Sequence, residues 1–302
     1  HWVRNFDFDG FRHDACKHIP LNYWRMLTHK LKSEMPNREM WQIGETYGSV
    51  ELIGSYVKTG MIDSQFDFNL YHTSRDVIVD ETRSMEDIAK VVEESEAAYG
   101  SHHTMGNITG NHDKPRFLSL AGGDMPLWGI DDKAEGWKRE VGVGDNEKGY
   151  ARLQLLKAII STVPGVPCVY QGDEYGVPGA NDPDNRDMME FDGYNDYQQK
   201  ELAATKALFK YRRGSMPLMY GDYRTLYVDN DVYVFLRHYM GEWVVVALNV
   251  RSEARLVEVA MPEFVVAETA NVALASEGGD AKLSDGKLSI NVPKYGYVII
   301  AK

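Results

Sequence analysis

The chain is poor in the residues that would staple it, anchor it or draw it to an anionic partner. It holds only 2 cysteines, Cys16 and Cys168, far apart among 302 residues. One pair at that separation is no disulfide framework, so both read as free thiols packed like small hydrophobes. No apolar run is long enough to cross a bilayer. Basic residues are outnumbered, 33 Lys and Arg against 45 Asp and Glu, for a net charge of -12. That balance argues against a nucleic-acid backbone or an anionic membrane as the main partner. It says little against a neutral ligand such as a sugar. No signal peptide, internal repeat or low-complexity stretch stands out. The first residues read as though they open inside a domain, so localisation stays open.

Hydrophobic residues make up 43% of the chain, enough for the core of one large domain or two smaller ones. Up to about residue 213, strand-like and helix-like stretches alternate. Residues 6–14 read as a strand, 21–33 as a helix, 40–45 as a strand, and Phe66-Asp67-Phe68 as a short strand. A helix from Met85 to Ala98 has Ser84 as its N-cap. A strand near 104–108 comes next, then a Gly-rich polar loop over 121–149 carrying Trp128 and Trp137. An amphipathic helix over 150–163, a buried strand over 166–170 and a helix over 198–213 complete this part. Such alternation implies a parallel sheet or barrel with helices outside. From residue 214 the pattern becomes short β segments with turns at Asp229-Asn230 and Met240-Gly241, which reads as a β-sandwich. The expected domains are therefore 1–213 and 214–302.

Three acids come after expected strands. In Gly10-Phe11-Arg12-His13-Asp14, residues two apart share a face, so Arg12 and Asp14 project together. A guanidinium beside a carboxylate keeps it ionised, as a nucleophile requires, although a purely structural Arg–Asp pair would look the same in so short a stretch. Glu45 comes about one β/α unit later and Asp113 about two units after that. In a parallel β/α barrel all three would meet at the C-terminal face. Paired acids there can break a glycosidic bond.

The stretch Gly10–His18, Gly44-Glu45 and Asn111-His112-Asp113 resemble three signature regions of the alpha-amylase superfamily of retaining glycoside hydrolases. Gly165–Glu174 resembles that family's last barrel strand and its loop. Asp182-Pro183-Asp184-Asn185-Arg186 is similar to cyclomaltodextrinase, neopullulanase and maltogenic-amylase members, and the β tail to the domain after their barrel. The resemblance implies an α/β fold, a partial TIM (β/α)8 barrel comprising about strands 4 to 8, followed by an all-β sandwich. It implies a retaining hydrolase acting on α-glucosidic bonds of starch, maltodextrin or cyclodextrin. Asp14 would be the nucleophile, Arg12 its ionising partner and Glu45 the acid and then the base. Asp113 and His112 would hold the reacting sugar, Lys17 and His18 would line the leaving-group side, and Asp182 and Arg186 would reach the next sugar. The two active carboxyls of a retaining enzyme lie about 5–5.5 Å apart when competent.

The family's first three strands, and the calcium ligands and sugar contacts that many members carry there, have no counterpart here. No metal ligands are expected in this chain, and calcium is an expectation for the longer protein alone. Two bare sheet edges are expected, near 6–14 and 166–170. A truncated chain would leave them open. A separate N-terminal half-barrel or a dimer mate would cover them. Two other activities fit the same residues: a transglycosylase on α-glucans, and a catalytically silent glucan-binding chain. Asp173-Glu174 reads as structural. Asp182-x-Asp184 is a poor calcium loop, because Arg186 and Asp187 stand where Asp or Asn and Gly are needed. His102-His103 reads as a solvated pair. Tyr23 and Trp24 read as core. Trp128 and Trp137 read as sugar platforms or core.

Overall fold

A computed structural model describes residues 1–266 and 268–302. The first part runs α1 Trp2–Phe6, β1 Gly10–His13, α2 Leu21–Glu34, β2 Trp41–Gly44, α3 Val50–Ser55, β3 Ser64–Gln65 and α4 Phe68–Val79. It continues α5 Met85–Tyr99, β4 Gly106–Ile108, α6 Phe117–Gly122, α7 Asp132–Lys138, α8 Asn146–Thr162, β5 Val166–Cys168, α9 Asp196–Gly214 and α10 Met216–Tyr220. The tail is all strand: β6 Asp222–Val228, β7 Val232–Tyr239, β8 Glu242–Asn249, β9 Arg255–Ala260, β10 Asn271–Ala275, β11 Asp280–Ser284, β12 Lys287–Val292 and β13 Gly296–Ala301.

The five early strands are parallel and neighbour one another in chain order. β1 pairs with β2, β2 with β3, and β4 with β5, while a parallel bridge from Phe66 to Gly106 links β3 to β4. Each crossover carries at least one helix, as parallel neighbours require. These are consecutive staves of part of a β/α barrel. β1 and β5 lie at its two ends, and Trp2, Phe6 and Phe8 are exposed beside β1.

The tail forms a five-stranded sheet, order β10-β13-β8-β7-β6, facing a three-stranded sheet, order β11-β12-β9. β7 shows how it joins the barrel. Val232, Val234 and Leu236 point into the core between the two sheets. Tyr233 and Phe235, one residue out of phase, point into the core that α4, α5, α6 and α8 share with the barrel. A strand with period-two alternation thus buries both faces.

α8 lies at the centre of that shared core. The sequence suggests an amphipathic helix, but here nearly every side is covered, polar residues included. Lys157 and Glu201 of α9 form a fully buried ion pair at 2.6 Å, and Thr205 adds a bond at 2.8 Å. At the C-terminus of α8 the last carbonyls take two guanidiniums. Arg212 donates to Ser161 and to Gly165, and Arg237 of β7 donates to Thr162. The helix end is thereby capped by positive charge, which its dipole favours.

Several local readings change. Residues 2–6 are helical, and the strand expected over 6–14 is confined to 10–13. Phe66-Asp67-Phe68 is no strand beyond its first residue: the Asp67 carboxylate accepts from the Leu70 amide and starts α4. That Asx cap overrides the aromatic β propensity on either side. The stretch 121–149 holds α7, capped by Asp131. Trp24 is core, but Tyr23 is 52% exposed. His103 packs edge-on against Tyr99 and accepts from the Met105 amide, so it is not a solvated neighbour of His102.

Candidate active site

The pairing register brings the first two acids together. His13 of β1 lies opposite Gly44 of β2, so the next residues, Asp14 and Glu45, leave the sheet side by side. Backbone bonds continue the contact past the strand ends: Glu45 N–H to His13 at 2.9 Å and Cys16 N–H to Glu45 at 2.8 Å. Ala15 turns the chain with φ 46, and its N–H reaches the Glu45 Oε2 at 3.3 Å. Below, Gly44 has no room for a side chain, since a Cβ there would lie 2.3 Å from Gln65 Nε2 and 2.6 Å from Cys16 Sγ.

Arg12 joins the two carboxyls. Its Nη1 meets Asp14 and its Nη2 lies 3.0 Å from Glu45 Oε2. Asp14 is open to solvent, whereas Glu45 is only 8% exposed. The hydrogen bond and charge of Arg12 hold the Asp14 carboxyl below its usual range, with smaller pushes from the Glu45 hydrogen bond and the His112 charge.

Asp113 comes after β4 in a loop that a second loop clamps. His112 Nε2 lies 3.3 Å from Asp113 Oδ2, and the Asn111 side chain accepts from the Asp113 amide at 3.0 Å. Arg186 reaches Asp113 Oδ1 at 3.3 Å, Asp182 Oδ1 at 3.2 Å and the His112 carbonyl at 3.2 Å. Asn181 donates to the Asp113 carbonyl and Asn185 to the Lys114 carbonyl, at 3.0 and 2.8 Å. A small cavity of about 170 Å³ opens here, lined by Arg12, Asn111, His112 and Tyr170 among others. Arg12 comes from the start of the sheet and Tyr170 from its end, so the hollow lies across the mouth of the staves.

Lys17 donates to the Tyr47 carbonyl at 3.2 Å. His18 ends the same short turn, exposed. Tyr47 has no place among the residues singled out from the sequence. It stacks on Phe68 with ring centres 3.9 Å apart, with the Lys114 ammonium 5.2 Å from its ring centre, and burial pushes its hydroxyl up to about 12. It stands two residues after Glu45, so the alternation that groups Arg12 with Asp14 could have found it. Asn181 and Asn185 gave no such signal, because their partners are distant in sequence.

Asp173 is buried and bonded to Arg116 at 2.9 Å and Thr109 at 2.6 Å, a structural arrangement. The Asp184 carboxylate accepts from the Ala180 and Val141 amides while Asp182 faces Arg186, so the two do not converge on a cation. Among the described residues no group of three or more His, Cys, Asp or Glu is arranged to hold a metal. Trp128 and Trp137 are both exposed rather than core, at 56% and 78%.

Comparison with known proteins places this geometry. Residues 1–210 match the alpha amylase catalytic domain and residues 221–295 the alpha-amylase C-terminal domain. A cyclomaltodextrinase of Geobacillus thermopakistaniensis is 26% identical over 306 residues, covering 100% of this chain and 46% of that protein. A cyclomaltodextrin glucanotransferase of Geobacillus stearothermophilus is 25% identical over 256 residues, covering 84% of this chain and 31% of that protein. The crystal structure of an Anoxybacillus alpha-amylase superposes with a TM-score of 0.80 at 25% identity, covering 99% of this chain and 60% of that one. The chain thus spans less than half the length of these two curated relatives. A partial barrel with Asp14 beside Glu45 at its mouth, a β-sandwich behind it and a match to the catalytic domain over the first 210 residues lead to one conclusion: the chain belongs to the alpha-amylase family.

Proposed function

We propose that this chain carries the reacting groups of a retaining α-glucan hydrolase. Asp14 attacks the anomeric carbon, and the glycosidic bond breaks as Glu45 gives its proton to the departing oxygen. Water then displaces Asp14 from the sugar, losing a proton to the Glu45 carboxylate. Asp113 and His112 hold the hydroxyls of the reacting ring. Asp182 and Arg186 contact the following sugar toward the non-reducing end, and Lys17 and His18 flank the leaving group. A sugar hydroxyl in place of water gives transfer rather than hydrolysis, the reaction for which the glucanotransferase relative is named.

The observation that carries this reading is the Arg12 fork, with one nitrogen on Asp14 and another on Glu45. A surface ion pair has no need of a second, buried acid on the same guanidinium. A retaining site needs an ionised acid held beside a sheltered one. The test is turnover of maltodextrin and cyclodextrin by this chain, against Asp14→Asn, with the anomer of the first product read by proton NMR. Products that appear first in the α form, with Asp14→Asn at background, support the proposal. Inversion, or equal rates from both proteins, overturns it. Binding of maltodextrin without turnover leaves the silent glucan-binding reading in its place.

A further inference from the structure

One face of α4 runs outward from the site. Phe68, His72 and Arg75 sit at i, i+4 and i+7, which on a helix is a single stripe about 10 Å long. Tyr47 covers the first of these, and its ring centre is 6.1 Å from that of His72. Trp128 covers the last, with the Arg75 guanidinium 5.3 Å from its ring centre. The two aromatic rings therefore lie over the two ends of one helical stripe, whose Phe68 is buried. The end at Tyr47 also holds Lys114, the neighbour of Asp113.

Trp128 is held in an unusual way for an exposed indole. The same segment buries Met125, and Leu127 packs against that cluster, so the backbone is anchored. Arg75 behind the ring is itself fixed by two bonds to Asp76, at 2.8 and 2.6 Å, and is largely shielded from water. A desolvated guanidinium on one face of an indole is a stabilising cation–π contact. With that face covered, the 56% exposure of Trp128 belongs to its edge and its other face. A rigid flat apolar surface suits the C–H face of a pyranose, and little conformational entropy is lost in using it.

We propose that Trp128 is a sugar-stacking subsite that extends the glucan site past Tyr47 along α4, so that the chain favours longer glucans over short ones. This rests on the α-glucan reading above. The test uses calorimetric titration of maltotriose and maltoheptaose into Asp14→Asn, which blocks turnover, and into the same protein with Trp128→Ala or Trp128→Phe added. Trp128→Ala should weaken maltoheptaose roughly three- to tenfold and leave the maltotriose affinity close to that of the parent. Trp128→Phe should restore most of the loss. Equal weakening of both sugars, or none with either, overturns the subsite and leaves the glucan reading standing. If Asp14→Asn binds neither sugar, the glucan reading itself is overturned and the subsite with it. Matching urea midpoints for the three proteins confirm that the comparison is between folded chains, and the Phe variant carries the test alone if the Ala variant unfolds.

Discussion

Arg12 reaches two carboxyls with two different nitrogens of a planar fork, whereas a lysine ammonium in its place has a single nitrogen and no fixed geometry for both. Arg12→Lys should therefore lower kcat on maltodextrin on the order of a hundredfold with a smaller change in KM, measured under steady-state conditions. The charge matters separately from the shape. With Arg12 present, Asp14 titrates below the usual carboxylate range, so the proposed nucleophile stays ionised in mild acid. Arg12→Met removes the interaction that favours the anion and raises that pKa. The acid limb of a kcat/KM profile should then move to higher pH, and an unmoved limb would show that another group controls it. Arg186 acts one step away, by tying Asp113, Asp182 and the His112 carbonyl together. Arg186→Ala should raise KM about tenfold with a smaller change in kcat, since it loosens the loop proposed to hold the sugar rather than the carboxyls proposed to react.

At the scale of elements, α8 holds the molecule together through groups a hydrophobic pattern does not reveal. Its apolar spacing is visible in the sequence, but that spacing carries no sign that Lys157 is buried. In the fold it is fully buried against Glu201. Cutting one side of such a pair strands the other charge, so Lys157→Met should cost about 3–5 kcal/mol in urea unfolding. Lys157→Met with Glu201→Leu should recover most of that loss, because no uncompensated charge remains. The short strands were harder to read than the helices for a related reason. β3 has two residues, and Asp67 ends the strand-like run by capping α4. A run this short carries no period of its own, and its conformation is decided by the neighbours it bonds.

Across the whole molecule, the barrel part and the sandwich meet at a seam of buried charge. Burial pushes Glu96 of α5 up to about 7, against the pull of Arg237. Burial, with a smaller contribution from the Arg237 charge, pushes His103 down to about 4. The two oppose each other in pH dependence. Between 4.5 and about 7 the native state holds the Glu96 proton that the unfolded chain releases, so this group makes stability fall as pH rises. Between about 4 and 6.5 the unfolded chain binds a proton that native His103 rejects, so this group makes stability rise with pH. Glu96→Gln should remove that falling contribution and add about 1–2 kcal/mol at pH 8 relative to pH 4, compared with the parent protein, after discounting for the half-exposed carboxyl. Urea midpoints at the two pH values provide the check.

The sequence by itself determined the alternation of strands and helices to about residue 213, the β character of the tail after the short helix at Met216–Tyr220, and the position of Asp14, Glu45 and Asp113 just past strand-forming stretches. Each is a local property, written in the spacing of apolar residues and in turn residues a few positions away. Only the tertiary structure decided that His13 pairs with Gly44, which brings Asp14 beside Glu45. It alone decided that residues 181–186 clamp the loop of Asp113, and that Trp128 rests on Arg75. Those are contacts between segments far apart along the chain. They are selected by strand register and by packing around α8, and no periodicity within either segment encodes its partner.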